Sequence, residues 1–99
     1  MSKAVRLLPP AEQELFDAAR YYEVQAPGLG QNFLAKVELT LRDLVSAPEQ
    51  WPVVHDGIRR RLIRRFPYSL LYHIDPDELV ILAIMHQKQH PSYWLSRTR

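Results

Sequence analysis

The sequence predicts an α+β domain of order β-α-α-β-β-β, in which a helical hairpin packs on a mostly antiparallel four-stranded sheet. Three observations carry this expectation. Apolar residues recur at helical spacing from Ala11 to Glu23 and again from Gln31 to Val45. Pro27, Gly28 and Gly30 interrupt the two stretches with residues that break helices and favour turns. From Ile58 onward the period shortens to two, through three runs separated by turn residues.

Each element has a local cause. Ala4-Val5-Arg6-Leu7-Leu8 reads as a first strand, stopped by Pro9-Pro10, whose fixed φ and missing donors suit the opening of a helix. Ala11, Leu15, Ala18, Ala19 and Tyr22 then form one helical face up to about Glu23. After the Pro-Gly turn, Phe33, Leu34, Val37, Leu41, Leu44 and Val45 line the buried side of a second helix, which Pro48 ends. Glu49 to Asp56 reads as a loop, with Trp51 and Val53 packed on the body of the domain. Ile58–Arg65, Tyr68–Ile74 and Leu79–His86 read as strands, divided by Phe66-Pro67 and by Asp75-Pro76-Asp77-Glu78. The last two strands are joined by a tight polar turn and so form an antiparallel hairpin. Leu79 to Met85 is apolar on both parities and should lie centrally, buried on both faces. The tail from Gln87 to Arg99 should fold back over the sheet.

Composition narrows the function classes. At 99 residues the chain makes a single domain, 1–99, with one core. It is 46% hydrophobic and 24% charged, with no apolar run of membrane-spanning length, so no membrane role is expected. The first ten residues hold no apolar stretch typical of a secretion signal, which makes the cytoplasm the expected location. With no cysteine there is no disulfide and no thiolate metal site. His86 and His90 stand four apart outside a helix with no third ligand, so neither a metal nor another cofactor is expected. Gly28-Leu29-Gly30 lacks the preceding strand and following Gly-Lys-Ser/Thr of a phosphate loop.

Net charge is only +2, from 13 basic and 11 acidic side chains, yet five arginines fall between residues 59 and 65. On a strand, Arg59, Arg61, Ile63 and Arg65 would share one face, and Arg60, Leu62, Arg64 and Phe66 the other. Neither face is cleanly apolar, and such breaks in patterning point to function. Guanidinium groups offer planar forks of donors that match phosphates and carboxylates. The expected partner is therefore an anion, met on the sheet face away from the helices. The competing reading is that these arginines pair with the protein's own acids or protect a sheet edge.

The chain resembles the RelE/ParE superfamily of toxins from bacterial type II toxin–antitoxin systems. The resemblance rests on Ala18-Ala19-Arg20-Tyr21-Tyr22-Glu23, Pro27-Gly28-Leu29-Gly30, Phe33 and Val37, Pro48 and Trp51-Pro52, Arg60-Arg61, Arg65-Phe66-Pro67-Tyr68, Leu71-Tyr72, Ile81 to His86, and Pro91-Ser92-Tyr93-Trp94. The Tyr-Tyr-Glu, Pro-Gly-Leu-Gly and Tyr-Trp elements are more similar to the ParE branch. That resemblance implies a toxin held inactive by a cognate antitoxin with an acidic or amphipathic segment, and acting on DNA gyrase to block replication. The alternative it implies is RelE-like, a metal-free mRNA endonuclease working at the ribosome. Family members commonly carry an arginine where this chain has Gln89, three residues after His86.

Metal-free RNA cleavage requires a base for the 2′-OH proton, cations for the charged transition state and an acid for the leaving oxygen. His86, Arg65 and Tyr93 are the candidates for that chemistry under the RelE-like reading. Under either reading, Arg59, Arg60, Arg61, Arg64, Arg65, Lys88, Gln89 and Trp94 are the candidate contacts to target or antitoxin.

Overall fold

The computed structural model describes residues 3–98. Its elements run β1 (Ala4–Leu7), α1 (Pro9–Gln25), α2 (Leu29–Ser46), β2 (Val53–His55), β3 (Ile58–Leu62), β4 (Tyr68–Ile74), β5 (Glu78–His86) and a C-terminal 3-10 helix (Pro91–Arg97). The strands form one sheet in the order β1-β5-β4-β3-β2. β1 runs parallel to β5, and every other neighbouring pair is antiparallel.

Both helices cover one face of the sheet. Ala11, Ala18, Ala19, Phe33, Val37 and Leu44 meet Leu70, Tyr72, Leu79, Ile81 and Ile84 there. Ile58, Leu71, Leu82, Ala83 and Met85 point to the opposite face, where the C-terminal 3-10 helix closes over them with Trp94, 3% exposed. This explains why β5 is apolar at both parities: it is the strand with protein above and below it. The tail thus folds back over the sheet as expected.

The helices approach closely because Gly30 has no side chain. A Cβ at that position would lie 2.5 Å from the Ala19 carbonyl oxygen. Gly28 caps α2 at φ 87°, a left-handed conformation that glycine adopts without steric cost. The Glu23 carboxylate fastens the turn, accepting from the Gly28 N–H at 2.9 Å and the Gly30 N–H at 3.0 Å.

The sheet has five strands where the sequence predicts four. β2 is the addition, a short edge strand within the segment expected to be a loop. All three of its residues are exposed, so no alternation marks it, and Pro52 directly before it reads as a breaker. Val53 is 51% exposed rather than packed on the body, whereas Trp51 does join the core. β3 also stops at Leu62, three residues earlier than expected. Ile63 bonds through its N–H to the Tyr68 carbonyl and Arg65 sits at φ 72°, so Arg64 and Arg65 belong to the turn into β4.

Candidate functional site

The arginine run divides by position. On β3, Arg59 and Arg61 project to the helix side, being in register with Tyr72 and Leu70. Arg59 donates to the main-chain oxygens of Glu49 at 3.0 Å and Trp51 at 2.7 Å. Arg61 donates to Asp43 of α2 at 3.1 Å and stacks 4.0 Å above the Trp51 ring. Arg60 alone among the β3 arginines projects away from the helices, and it bonds to the buried Ser69 hydroxyl at 3.0 Å. The strand arginines therefore do not line a common concave face opposite the helices. Alternation splits them, and each has an acceptor within the chain, although the buried Arg61 Nε–H has none.

Arg64 and Arg65 behave differently. Both are exposed, and neither makes a side-chain hydrogen bond or ion pair among the described residues. The left-handed backbone at Arg65 turns the chain out of the sheet and holds this side chain beyond its end. One cleft there is lined by Tyr22, Leu29, Asn32, Lys36, Arg65, Phe66 and Pro67. A second cleft, lined by Lys36, Leu39, Thr40, Asp43, Arg61 and Arg64, runs beside it along α2. Lys36 belongs to both, and it too has no side-chain partner among the described residues. The sequence reading missed this residue. Its only signal was its position between Phe33 and Val37, at the rim of the buried stripe of α2.

The end of β5 joins the same region. Tyr68 is in register with His86, and the Gln87 N–H donates to the Pro67 carbonyl at 2.8 Å, which sets the 86–89 turn beside the 64–67 turn. The His86 ring meets the Tyr68 ring edge-on at 4.9 Å. Tyr68 in turn packs with Tyr22, Phe33 and Phe66 in one aromatic cluster, where burial pushes the Tyr22 and Tyr68 hydroxyl pKa values up. His86 Nδ1 accepts from the Lys88 N–H at 3.0 Å, which places the proton of the neutral ring on Nε2. Gln89 closes the turn: its Oε1 accepts from the His86 N–H at 2.9 Å and its own N–H donates to the His86 carbonyl. The Lys88 ammonium has no partner among the described residues.

Tyr93 and Trp94 lie elsewhere. Both pack with the cluster on the opposite face of the sheet. Arg97 sits 4.9 Å over the Tyr93 ring and donates to both Glu14 oxygens at 3.1 Å. The buried Tyr93 hydroxyl makes no hydrogen bond of ordinary geometry, and its burial, reinforced by the Glu14 carboxylate, pushes its pKa up. So the fold gathers Lys36, Arg64, Arg65, His86, Lys88 and Gln89 at one end. It keeps Arg59, Arg60, Arg61, Tyr93 and Trp94 in other surroundings.

No group of three or more metal-ligating side chains occurs among the described residues, and no helix among them is long and apolar enough to cross a membrane.

A two-helix layer on a mixed sheet is an architecture found in solved toxin–antitoxin systems. A chain of the chromosomal ParDE toxin–antitoxin system from P. aeruginosa has the same fold, with TM-score 0.75 and 19% identity over 86% of this chain and 96% of that one. A chain of the toxin–antitoxin complex RelBE2 from Mycobacterium tuberculosis is similar with TM-score 0.58 and 27% identity, covering 87% of this chain and 99% of that one. Toxin ParE2 of Mycobacterium tuberculosis is 25% identical over 93 residues, which is 93% of this chain and 89% of that protein. The sequence pattern of the ParE toxin of the type II toxin–antitoxin system parDE matches residues 5–91, and the chain belongs to this family.

Proposed function

We propose that this ParE-family toxin acts by binding rather than by cleaving RNA, that its target is DNA gyrase, and that a cognate antitoxin silences it by covering the end that carries Lys36, Arg64, Arg65 and Lys88. The observation behind this reading is that the candidate acid–base groups do not converge. His86 Nδ1 is committed to the Lys88 N–H, so the neutral ring presents a donor and no free lone pair. Tyr93 lies on the other face of the sheet, packed beneath Arg97. A cleavage site needs base, acid and cations around one phosphate, and here the cations gather with His86 but without Tyr93.

An acidic antitoxin segment suits the same end, because carboxylates would pair with guanidinium forks that have no internal partner. Inhibition by charge coverage follows without a conformational change in the toxin.

The deciding experiment compares two activities of one purified preparation. Supercoiling by gyrase should be inhibited at near-stoichiometric toxin, and the inhibition should disappear on adding antitoxin. Messenger RNA in a translating extract should remain uncut. Codon-positioned cuts that vanish in His86→Ala, together with unimpaired supercoiling, would reverse the assignment in favour of the endonuclease.

A further inference from the structure

We infer that the cationic end is also a binding site for the phosphodiester backbone of double-stranded DNA, used without any protein partner. This goes beyond the gyrase reading, since it concerns the nucleic acid itself.

The partner census of the basic side chains carries the inference. Lys3, Arg6, Arg20, Arg42, Arg59, Arg60, Arg61 and Arg97 each have an acceptor within the chain. Lys36, Arg64, Arg65 and Lys88 have none among the described residues, and the two clefts and the paired turns bring these four to one end. The carboxylates that line or neighbour this end are already engaged. Glu23 is held by the Gly28 and Gly30 N–H groups, and Asp43 by Arg61. Among the described residues none of the four cations there forms an ion pair with an acid.

The opposite end of the sheet holds acids: Asp75 and Asp77 in the turn between β4 and β5, Glu78 at the start of β5, and Asp56 in the turn between β2 and β3. Those acids share their end with Lys3, Arg6 and Arg59, and Arg6 pairs with Glu78 at 3.0 Å, so the two ends differ in that only the 64–67 and 86–89 end holds several cations without an acid partner among the described residues.

Duplex fits better than single strand or peptide. Tyr22, Phe33, Phe66 and Tyr68 pack edge-on against one another, so these rings are engaged together and are not free platforms for unpaired bases. Of the strand edges that would bind an extended peptide, those of β1 and β2 lie at the two sides of the sheet, and the edge of β5 past Ile81 is engaged by Glu14 at the Ile84 N–H and by Arg97 at the Leu82 carbonyl, while a turn joins β3 to β4 at this end. The cations stand around a cleft that is partly apolar, and it is they that meet phosphate, a contact that does not read sequence.

The test uses the full chain, a fluorescent 20-base-pair duplex, the corresponding single strand and a polyglutamate peptide, each followed by polarisation across a salt series. Four cation–phosphate contacts give a slope of log affinity on log salt of about −3 to −4, so affinity falls by about a hundredfold between 50 and 200 mM salt. In Arg64→Ala/Arg65→Ala the slope should shrink by about two and duplex affinity should drop at least about tenfold at 100 mM salt. Arg42→Ala, a cation on the same helix but paired with Glu38, should bind as the parent does. Circular dichroism melts check that each variant is folded. Duplex affinity that is unchanged in the double variant, or binding only to the single strand or to polyglutamate, would overturn the inference. Gyrase is absent from this assay, so its outcome is separate from that of the supercoiling test.

Discussion

Glu14 holds together three parts of the structure, and replacing it tests the account of how the C-terminal segment stays in place. β1 pairs with β5 only through Leu7–Ile81 and Leu8 reaches the Ile81 carbonyl, so β5 continues past its neighbour with an uncovered edge. Glu14 Oε1 accepts from the Ile84 N–H at 3.0 Å on that edge. Both its oxygens also receive Arg97, which donates to the Leu82 carbonyl at 3.0 Å. The pair fastens the 3-10 helix to β5 and replaces the missing strand.

The size of the effect follows from these contacts. In Glu14→Ala the Ile84 N–H loses its acceptor, which costs about 1–3 kcal/mol for a buried group. Breaking a buried ion pair by removing one partner costs about 3–5 kcal/mol. The Arg97 and Glu14 side chains retain 17% and 21% of their exposure, and Arg97 keeps the Leu82 carbonyl, so the two costs do not simply add. A total of about 3 kcal/mol is expected, a large share of the stability of a domain this size. At about 4–8 °C per kcal/mol, the melting temperature should fall by about 12–24 °C. Glu14→Gln keeps an oxygen for Ile84 and should lose about half as much. Urea unfolding of the parent, both variants, Arg97→Met and the double variant measures the loss and the coupling. A Glu14→Ala loss below about 0.5 kcal/mol, the range of ordinary surface changes, would refute the reasoning.

Three further perturbations have defined outcomes. Tyr72 donates to the Pro48 carbonyl at 2.6 Å, and burial pushes its pKa up to about 12 against a small opposing pull from Arg59 and Arg61. Because the folded pKa is raised, its contribution is complete below pH ~10 and is lost as pH rises towards ~12, by about 2–3 kcal/mol; Tyr72→Phe should reduce this alkaline loss in urea titrations, leaving the part due to Tyr22, Tyr68 and Tyr93. Gly30→Ala drives a Cβ into the Ala19 carbonyl oxygen and should destabilise by about 1–3 kcal/mol, read as a lower melting temperature. Arg65 occupies a left-handed conformation that costs a non-glycine residue about 1 kcal/mol, so Arg65→Gly should raise stability slightly while weakening the gyrase inhibition proposed above; a stable variant of undiminished activity would remove Arg65 from the proposed site.

Much of the fold was legible because its causes are local. The helical spacings from Ala11 and Phe33, the Pro-Gly turn and the two-sided apolar run of β5 each state a burial pattern that the structure keeps. β2 was not legible, because an exposed three-residue edge strand has no alternation to read and its pairing is set by β3. The parallel placement of β1 beside β5 was equally invisible, since it depends on where two helices return the chain.

The candidate site shows a different limit. Sequence proximity made the five arginines look like one feature, and alternation was expected to sort them onto two faces of a strand. What separates them is the supply of acceptors, which come from other elements: Asp43 of α2 for Arg61, Glu49 and Trp51 of the loop before β2 for Arg59, Ser69 of β4 for Arg60. Those three arginines satisfy the competing reading, in which the charges serve the fold. Arg64 and Arg65 escape it because β3 ends at Leu62 and the turn carries them off the strand, and because Asp43, which shares a cleft with Arg64, is bonded by Arg61. Their remaining company, Lys36 and Lys88, comes from an α-helix and from the turn after β5. A cluster of unsatisfied cations is thus defined by what the rest of the fold fails to provide, and a linear pattern cannot express that. The cations available to a partner are those left over once the core and sheet have taken theirs.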